Sequence, residues 1–174
     1  LKYMVKDLDI AVIQGCHVLR PREITKFDNS FVPKITDALV TATGAKNLEW
    51  QGKLECCGAA LAGINEQLSH DLLTEKVNGA KTAGANFITP ICAYCHLQFD
   101  TTQPNIADNS ADVLPVLLYP QLLGLCLGLD EKTLGIEMNT TLDKGDIETL
   151  KAKLVSPEEL TKKKKRRKKV NQAA

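Results

Sequence analysis

The sequence predicts an α/β fold in which a small, mostly parallel sheet is flanked by helices. Four short apolar segments of strand character alternate along the chain with four segments of helical spacing, and this alternation is typical of parallel sheets. Five of the six cysteines follow the first three predicted strands. Because the carboxyl ends of parallel strands meet at one edge of a sheet, these cysteines are expected on loops at that edge.

Length and composition indicate one ordinary globular domain. The chain has 174 residues, of which 44% are hydrophobic and 25% are charged, as is typical of folded soluble domains. A chain of this size buries roughly 70% of its unfolded surface and needs no disulfides to fold.

The first three elements are predicted before residue 55. A strand is expected at 9–14, where apolar and β-branched residues precede Gly15. A helix follows, because Pro33 suits a helix start, Gly44 suits a helix end, and apolar residues recur between them at helical spacing. The mixed segment 48–54 is predicted to be the second strand.

The middle of the chain predicts a helix, a strand and a further helix. Asn65 suits a helix N-cap, and the apolar spacing that follows it continues to Gly84. Residues 86–89 are predicted to be a short strand closed by Pro90. The next helix is expected to begin near residues 92–94 and to continue past Phe99.

The remaining segments complete the predicted organisation. A buried strand at 115–118 and an apolar helix at 121–129 end the main domain, which is assigned to residues 1–137. Residues 138–161 are predicted to form a C-terminal helical extension. Residues 162–174 are predicted to be a basic, disordered tail, the default for a block of like charges.

Charge is divided unevenly between the body and the tail. Residues 162–169 are eight consecutive Lys or Arg; without them, 14 basic residues stand against 21 acidic ones, a net charge of −7. An acidic body argues against nucleic acid as a partner, since phosphate contacts need clustered cations. The tail itself admits three interpretations: a solubilising end, which is favoured, a docking segment for an acidic partner or an anionic membrane, and a nuclear localisation signal.

No membrane span or signal peptide is predicted. The longest uncharged stretch, 113–129, has 17 residues and contains prolines and glycines, whereas a membrane helix needs about 20 mostly apolar residues. The first ten residues carry four charges and no long apolar segment. We therefore expect a cytoplasmic protein that meets a membrane only through a larger complex or through its basic tail.

The cysteines form the pattern C-x39-C-C-x34-C-x2-C at positions 16, 56, 57, 92 and 95. In a reducing cytosol, such cysteines indicate metal binding or redox chemistry rather than disulfides. Five thiolates exceed the four ligands of a structural zinc site, whereas an iron–sulfur cluster can take thiolates on different iron atoms. The pattern favours a cluster, and it leaves open a zinc site with one free thiol and a disulfide between Cys56 and Cys57.

Several motifs resemble a known family. Residues 15–21 read GCHVLRP, 56–59 read CCGA, 92–96 read CAYCH, and 114–124 contain LPVLLY and QLLG. Over about residues 9–137 the sequence resembles the cysteine-rich CCG domain of the B subunit of heterodisulfide reductase, and more closely the second of the two such domains in that protein.

The resemblance implies an oxidoreductase subunit with a noncubane 4Fe–4S cluster. In that family the cluster reduces the disulfide between coenzyme M and coenzyme B in methanogenic archaea, and electrons arrive through partner subunits that carry flavin and iron–sulfur clusters. The implied cluster ligands are Cys16, Cys56, Cys57, Cys92 and Cys95. Related CCG domains also occur in an archaeal type of succinate dehydrogenase and in enzymes that oxidise lactate, glycolate or glycerol 3-phosphate. A third alternative is a non-catalytic assembly subunit that holds zinc or a structural cluster.

Three residues are candidates for the chemistry of disulfide cleavage. Cys57 is one of five thiols, and five is one more than an ordinary cluster needs. His17 and His96 each follow a candidate ligand, so each could donate a proton to a departing thiolate or could orient its loop by a hydrogen bond, and the second role is favoured. His70 is expected on the surface, and Cys126 is expected to pack in the core among leucines.

Overall fold

The computed structural model describes residues 1–109 and 112–159, and its centre is a three-stranded parallel sheet. The five strands are β1 (Met4–Val5), β2 (Asp9–Ile13), β3 (Lys46–Asn47), β4 (Phe87–Pro90) and β5 (Leu154–Val155). The central sheet has the order β3–β2–β4. An isolated parallel bridge between Ile88 and Val116 extends its β4 edge. The predicted α/β fold with a small parallel sheet flanked by helices is confirmed.

Eight α-helices surround the sheet within the described residues. They are α1 (Cys16–Leu19), α2 (Arg22–Thr25), α3 (Ile35–Ala42), α4 (Glu66–Thr82), α5 (Ala93–Leu97), α6 (Gln103–Ile106), α7 (Tyr119–Leu127) and α8 (Lys144–Lys153). A π-helical segment, Gln98–Thr102, joins α5 to α6. Short 3₁₀ turns lie at Ala59–Leu61 and Ile136–Met138.

Strand β2 separates two hydrophobic cores. Its side chains alternate in direction, as they do in any strand. Ile10 and Val12 point into one core, which also contains Cys126 and is called the Cys126 core. Ala11 and Ile13 point into the other, which contains Cys57 and is called the Cys57 core. Burial on both faces explains why β2 is almost entirely apolar.

Helix α4 is the longest element, and its boundaries agree with the sequence. The Asn65 side chain accepts a hydrogen bond from the backbone N–H of Leu68 at 3.1 Å, which caps the first turn. The helix ends at Thr82, just before Gly84, whose φ is +81°. Leu73 and Val77 on its inner face pack in the Cys57 core.

Two of the predicted strands differ from the structure. Residues 48–54 do not form a strand: pairing with β2 is confined to Lys46 and Asn47, and the chain then turns at Gly52, which has a left-handed φ of +87°. Residues 115–118 make only the bridge at Val116. Pro115 has no N–H with which to extend the bridge to Ile88, and the Val116 N–H is bound by the hydroxyl of Thr141, 25 residues away in the chain, at 3.0 Å.

The last core helix is displaced by two residues from its prediction. It begins at Tyr119 instead of residue 121, and it ends at Leu127 because Gly128 adopts a left-handed φ of +88° that terminates the helix. The Gln121 side chain accepts the backbone N–H of Leu118 at 3.0 Å and so helps to fix the first turn.

The predicted C-terminal extension packs onto the main domain where it is described. Strand β5 pairs antiparallel with β1, and Leu150 of α8 is buried in the Cys126 core. Residues 157–159 are also helical. The predicted basic tail, 162–174, lies outside the described residues. Among the helices of residues 1–109 and 112–159, none has the length and apolar character needed to cross a membrane.

Candidate metal centre

Cys16 is held at the carboxyl end of the central strand. Only Gln14 and Gly15 separate it from β2, and it is the first residue of α1. Gly15 has a φ of +72°, and a Cβ at this position would lie 3.0 Å from the Cβ of Cys92. A glycine is therefore needed here both for the turn and for the close approach of the two cysteine-bearing segments.

Cys92 and Cys95 are placed by the neighbouring strand. Cys92 is the N-cap of α5, two residues beyond the end of β4, and Cys95 lies inside the same helix. Residues three apart on a helix share a face, so both thiols are presented together. Cys16, expected on a loop, thus occupies a helical position, and Cys95 lies in the helix that was predicted to begin near residues 92–94; both helices begin soon after the strands end.

Cys56 and Cys57 lie in a segment that is anchored on α4. Gly58 has a φ of +84°, and a Cβ there would lie 2.5 Å from the carbonyl oxygen of Ser69. The Ser69 hydroxyl donates to the Gly58 carbonyl at 2.9 Å and accepts from the Gln98 amide at 3.0 Å. These bonds connect the segment of the adjacent cysteines to the π-helical turn that follows Cys95.

All five predicted cysteines line one cavity of about 360 Å³. The other lining residues are His17, Ala59, Ala60 and Tyr94. All five thiols are free, so Cys56 and Cys57 are not joined as a disulfide. Cys57 and Cys95 are buried, with their sulfur atoms 3.3 Å apart, and the other three are partly exposed. The cavity therefore has a buried floor and an accessible mouth.

The two buried thiols form a hydrogen bond with each other. It lowers the pKa of Cys57 to about 6, with further help from the backbone N–H of Ala59 and the charge of Lys76. The same interaction raises the pKa of Cys95, since its proton is held by its partner. Burial, together with the neighbouring thiols Cys56 and Cys57, raises the pKa of Cys16. Of these three thiols, Cys57 is the one whose surroundings favour the thiolate.

The structure separates the two candidate histidines. His17 is exposed and lies on the cavity wall, whereas His96 lies outside the lining. The Nδ1 atom of His96 is buried without a hydrogen-bond partner among the described residues. Burial lowers the pKa of His96, and the nearby Asp100 carboxylate opposes that effect. Of the two, only His17 faces the space in which a ligand would bind.

Lys76 is a feature of the site that sequence reasoning missed. Its side chain is 1% exposed, and its Nζ donates to the carbonyl oxygens of Gly52 at 2.7 Å and Glu55 at 2.9 Å. The signal was present in the helical pattern: Lys76 falls three residues after Leu73 and four before Ala80, both of which are core residues. A lysine in the middle of an apolar stripe indicates a buried charge with a specific role.

The donor set fits a group with several metal atoms. Thiolates are the usual ligands of iron–sulfur clusters. A cavity of about 360 Å³ is some twelve times the ~30 Å³ that one water molecule occupies in the liquid, so a single ion would not fill it. Within residues 1–109 and 112–159, no three His, Cys, Asp or Glu side chains are arranged around one point as ligands of a lone ion. The thiols instead surround the cavity.

Comparison with known proteins agrees with the motifs and the cavity. The CCG family model, described as a cysteine-rich domain, matches residues 10–100. The chain is 38% identical over 138 residues to the B subunit of the ferredoxin:CoB-CoM heterodisulfide reductase of Methanosarcina mazei, which covers 76% of this chain and 46% of that protein. It is 34% identical over 143 residues to a protein of Archaeoglobus profundus that is named as similar to the B subunit of heterodisulfide reductase, covering 78% and 48%.

A further relative is a subunit of a differently named reductase. The chain is 31% identical over 141 residues to the 8-methylmenaquinol:fumarate reductase membrane anchor subunit of Wolinella succinogenes, which covers 80% of this chain and 50% of that protein. In each of these comparisons the chain spans about half the length of the curated relative that it matches.

Proposed function

The chain belongs to the CCG cysteine-rich domain family, and from this premise we propose that it is an iron–sulfur redox subunit, or half of one, that reduces or forms a disulfide within an electron-transfer complex. The observation that carries the proposal is the position of five free thiols around one cavity. A disulfide that gains two electrons and two protons becomes two thiols, so the site must supply electrons, a place for sulfur and a source of protons.

In this proposal, the five cysteines hold a noncubane 4Fe–4S cluster. Its ligands are Cys16, Cys56, Cys57, Cys92 and Cys95. When bound, such a cluster supplies electrons one at a time and iron sites that can interact with sulfur. The hydrogen bond between Cys57 and Cys95 supports the assignment, because it lowers the pKa of Cys57 to about 6 and thiolates rather than thiols bind metal.

Side chains at the mouth of the cavity can take part in the proposed reaction. His17 lies on the exposed wall, where it can donate a proton to a departing thiolate. Tyr94 is 73% exposed and lines the same mouth, so its ring can contact an entering disulfide. His96 is half-buried in the last turn of α5, outside the cavity lining, and its Nδ1 has no hydrogen-bond partner among the described residues, so it is given no part in proton transfer.

The candidate substrate and partners come from the relatives. Similarity to proteins named as B subunits of CoB-CoM heterodisulfide reductase favours the heterodisulfide of coenzyme M and coenzyme B as substrate. It also favours assembly with subunits that carry flavin and iron–sulfur clusters. We further propose a cytoplasmic setting, in which any contact with a membrane is made through the complex or through the basic tail.

A second candidate function rests on the similarity to the fumarate reductase membrane anchor subunit. In that case the chain is a CCG subunit of a succinate dehydrogenase or fumarate reductase complex, and its cluster passes electrons between a quinone and the flavoprotein. A subunit that holds zinc and serves only in assembly is the remaining alternative, and the five-thiol cavity supports it less well because structural zinc uses four ligands.

Anaerobic purification followed by iron, zinc and acid-labile sulfide analysis tests the proposal. We expect about four iron and four sulfide per chain, as in a 4Fe–4S cluster, and an electron paramagnetic resonance signal that changes when a thiol is added. An unchanged signal with thiol, but a response to a quinol analogue, would favour the fumarate reductase type of complex. One zinc and no sulfide would contradict both redox functions.

A further inference from the structure

We propose that Lys76 is the buried counter-cation of the cysteine cavity. In this role it holds the segment that carries Cys56 and Cys57, and it offsets the negative charge of the metal-bound thiolates. The electrostatic part of this inference rests on the proposed function, because it concerns the bound cluster. The positioning part concerns the protein chain alone.

The contacts of Lys76 place a positive charge against the residue that precedes the adjacent cysteines. Its Nζ donates to the carbonyl oxygen of Glu55, the residue before Cys56, at 2.9 Å, and to that of Gly52 at 2.7 Å. The ring of Trp50 faces the same ammonium, with 5.3 Å between Nζ and the ring centroid. A cation held by carbonyl dipoles and an aromatic face is well fixed in position.

Lys76 is one of two attachments of this segment to α4. Ser69, seven residues earlier on the same helix, binds the carbonyl of Gly58 at 2.9 Å. Seven residues correspond to about 10 Å along a helix, so the two attachments hold opposite ends of the segment 52–58. Cys56 and Cys57 lie between them, and their positions therefore depend on both attachments.

A comparison with Lys53 shows what the environment of Lys76 lacks. Lys53 is also buried, but its Nζ lies 2.6 Å from Asp37 and 3.3 Å from Glu49. In the described parts of the chain, no carboxylate stands at ion-pair distance from Lys76. A buried ammonium without a paired anion is unfavourable.

The cavity thiols are the groups that can supply the missing negative charge. Burial lowers the pKa of the Lys76 ammonium, and the charges that Cys57 and Cys95 carry when deprotonated oppose that effect, as the carboxylate of Glu55 also does. Cys56 adds a smaller effect of the same sign. Deprotonation of these thiols on metal binding would therefore give Lys76 the anionic partner that its own surroundings do not provide.

This position has a consequence for the bound cluster. The reduction potential of an iron–sulfur cluster depends on the net charge around it. A fixed cation stabilises the more negative, reduced form, so Lys76 raises the potential at which the cluster accepts an electron. Lys53 should have little influence, because its charge is already neutralised by Asp37.

The first test is a redox titration of the full-length, anaerobically purified protein, followed by electron paramagnetic resonance. At a fixed solution potential, we expect Lys76→Met to lower the ratio of reduced to oxidised cluster about tenfold, which corresponds to 59 mV for one electron. The matched control, Lys53→Met, removes the same formal charge and should change the ratio less than twofold. Equal shifts in the two variants, or none in Lys76→Met, would overturn the electrostatic role while leaving the proposed function intact.

The second test uses the metal-free chain and does not depend on a cluster. Hydrogen exchange of the amides at 52–57 should accelerate at least tenfold in Lys76→Met. Lys76→Gln keeps an N–H donor without the charge. Relative to Lys76→Met, it should restore part of the protection from hydrogen exchange, but it should not restore the reduction potential of the wild-type cluster. Unchanged exchange in both variants would contradict the positioning role.

The two tests also separate this inference from the proposed function. A wild-type protein without iron or sulfide would overturn the proposed function, and the counter-cation role with it. If Lys76→Met does not fold, the comparison of Lys76→Gln with Lys53→Met decides both points. A cluster that is lost from Lys76→Gln but retained in Lys53→Met would support the positioning role.

Discussion

Cys57 and Cys126 lie on opposite sides of the same sheet, and the two thiols have opposite properties. Both are buried, with 5% and 0% of their surface exposed. The pKa of Cys57 falls to about 6, chiefly because of its hydrogen bond with Cys95. The pKa of Cys126 rises to about 11, because burial outweighs the opposing hydrogen bond from the Val5 backbone. Its S–H donates to the Thr43 carbonyl at 3.8 Å.

The pKa of a buried cysteine therefore depends on its hydrogen-bond partners and nearby charges more than on how deeply it is buried. The central strand contributes equally to both cores through its alternating side chains. The two sides differ at the carboxyl-terminal edge of the sheet. Three segments that carry cysteines converge there, on the side of Cys57. Cys126 lies within α7, outside the cavity that these segments form, and is packed as a small apolar residue.

The largest expected effect is loss of the cluster. Cys57→Ser should abolish cluster binding, with iron and sulfide content falling at least tenfold, because serine does not replace a thiolate as a ligand. Cys126→Ser, the matched control, should retain wild-type iron and sulfide, since this thiol lies outside the cavity. Metal and sulfide analysis of the two purified variants decides the matter, and equal loss from both would remove the distinction between the cores.

The next effect is in thiol reactivity. In the metal-free protein at pH 7, we expect iodoacetamide to modify Cys57 at least tenfold faster than Cys126. Their pKa values are about 6 and about 11, so Cys57 is far more ionised and the thiolate is the reactive form. This advantage exceeds the lower intrinsic nucleophilicity of a thiolate with a low pKa. The rate at Cys57 should rise between about pH 5 and pH 7 and then level off. Peptide mass spectrometry of timed reactions measures both sites; a Cys57 rate that begins to rise only near pH 9 would contradict the assignment.

A third prediction concerns the anchoring glycine of the Cys57 side. Gly58→Ala should lower the free energy of unfolding by about 3 kcal/mol, because the new Cβ meets the Ser69 carbonyl at 2.5 Å in addition to the strain of a left-handed φ. Gly84→Ala has a similar φ of +81° with no atom within 4 Å, so it should show strain alone, about 1 kcal/mol. Urea unfolding of the metal-free variants compares them. Equal losses would mean that the contact with Ser69 is unimportant.

The smallest expected effect is a loss of unfolding free energy at alkaline pH that depends on Cys126. Since the pKa of Cys126 is raised from 9.0 to about 11, the folded state keeps a proton that the unfolded state releases. Its contribution to stability is therefore complete below pH 9 and is lost as the pH rises through 11, by an amount on the order of 2 kcal/mol. Cys126→Ala should flatten this part of the curve of unfolding free energy against pH. An unchanged slope would show that other groups cause the alkaline loss.

Much of this arrangement could be predicted from local patterns. The alternation of apolar segments indicated a parallel sheet, and the Asn65 cap and the Gly84 stop bounded α4 almost correctly. The segments 48–54 and 115–118 were harder to predict, because their strand character was overridden by a left-handed turn at Gly52 and by a side-chain bond from Thr141. Such long-range partners have no trace in the local pattern.

The sequence alone predicted which cysteines meet at one cavity and that they follow strands. Order and spacing along the chain are local quantities, and parallel strands bring their carboxyl ends to one edge by geometry alone. Only the tertiary structure decided which neighbours each thiol has. It left His96 outside the cavity lining and brought the sulfur of Cys95 to within 3.3 Å of that of Cys57. It also placed the ammonium of Lys76 against the carbonyl oxygen of Glu55, the residue before Cys56. Charge and proton affinity depend on distances between segments far apart in the chain, and those distances exist only in the folded molecule.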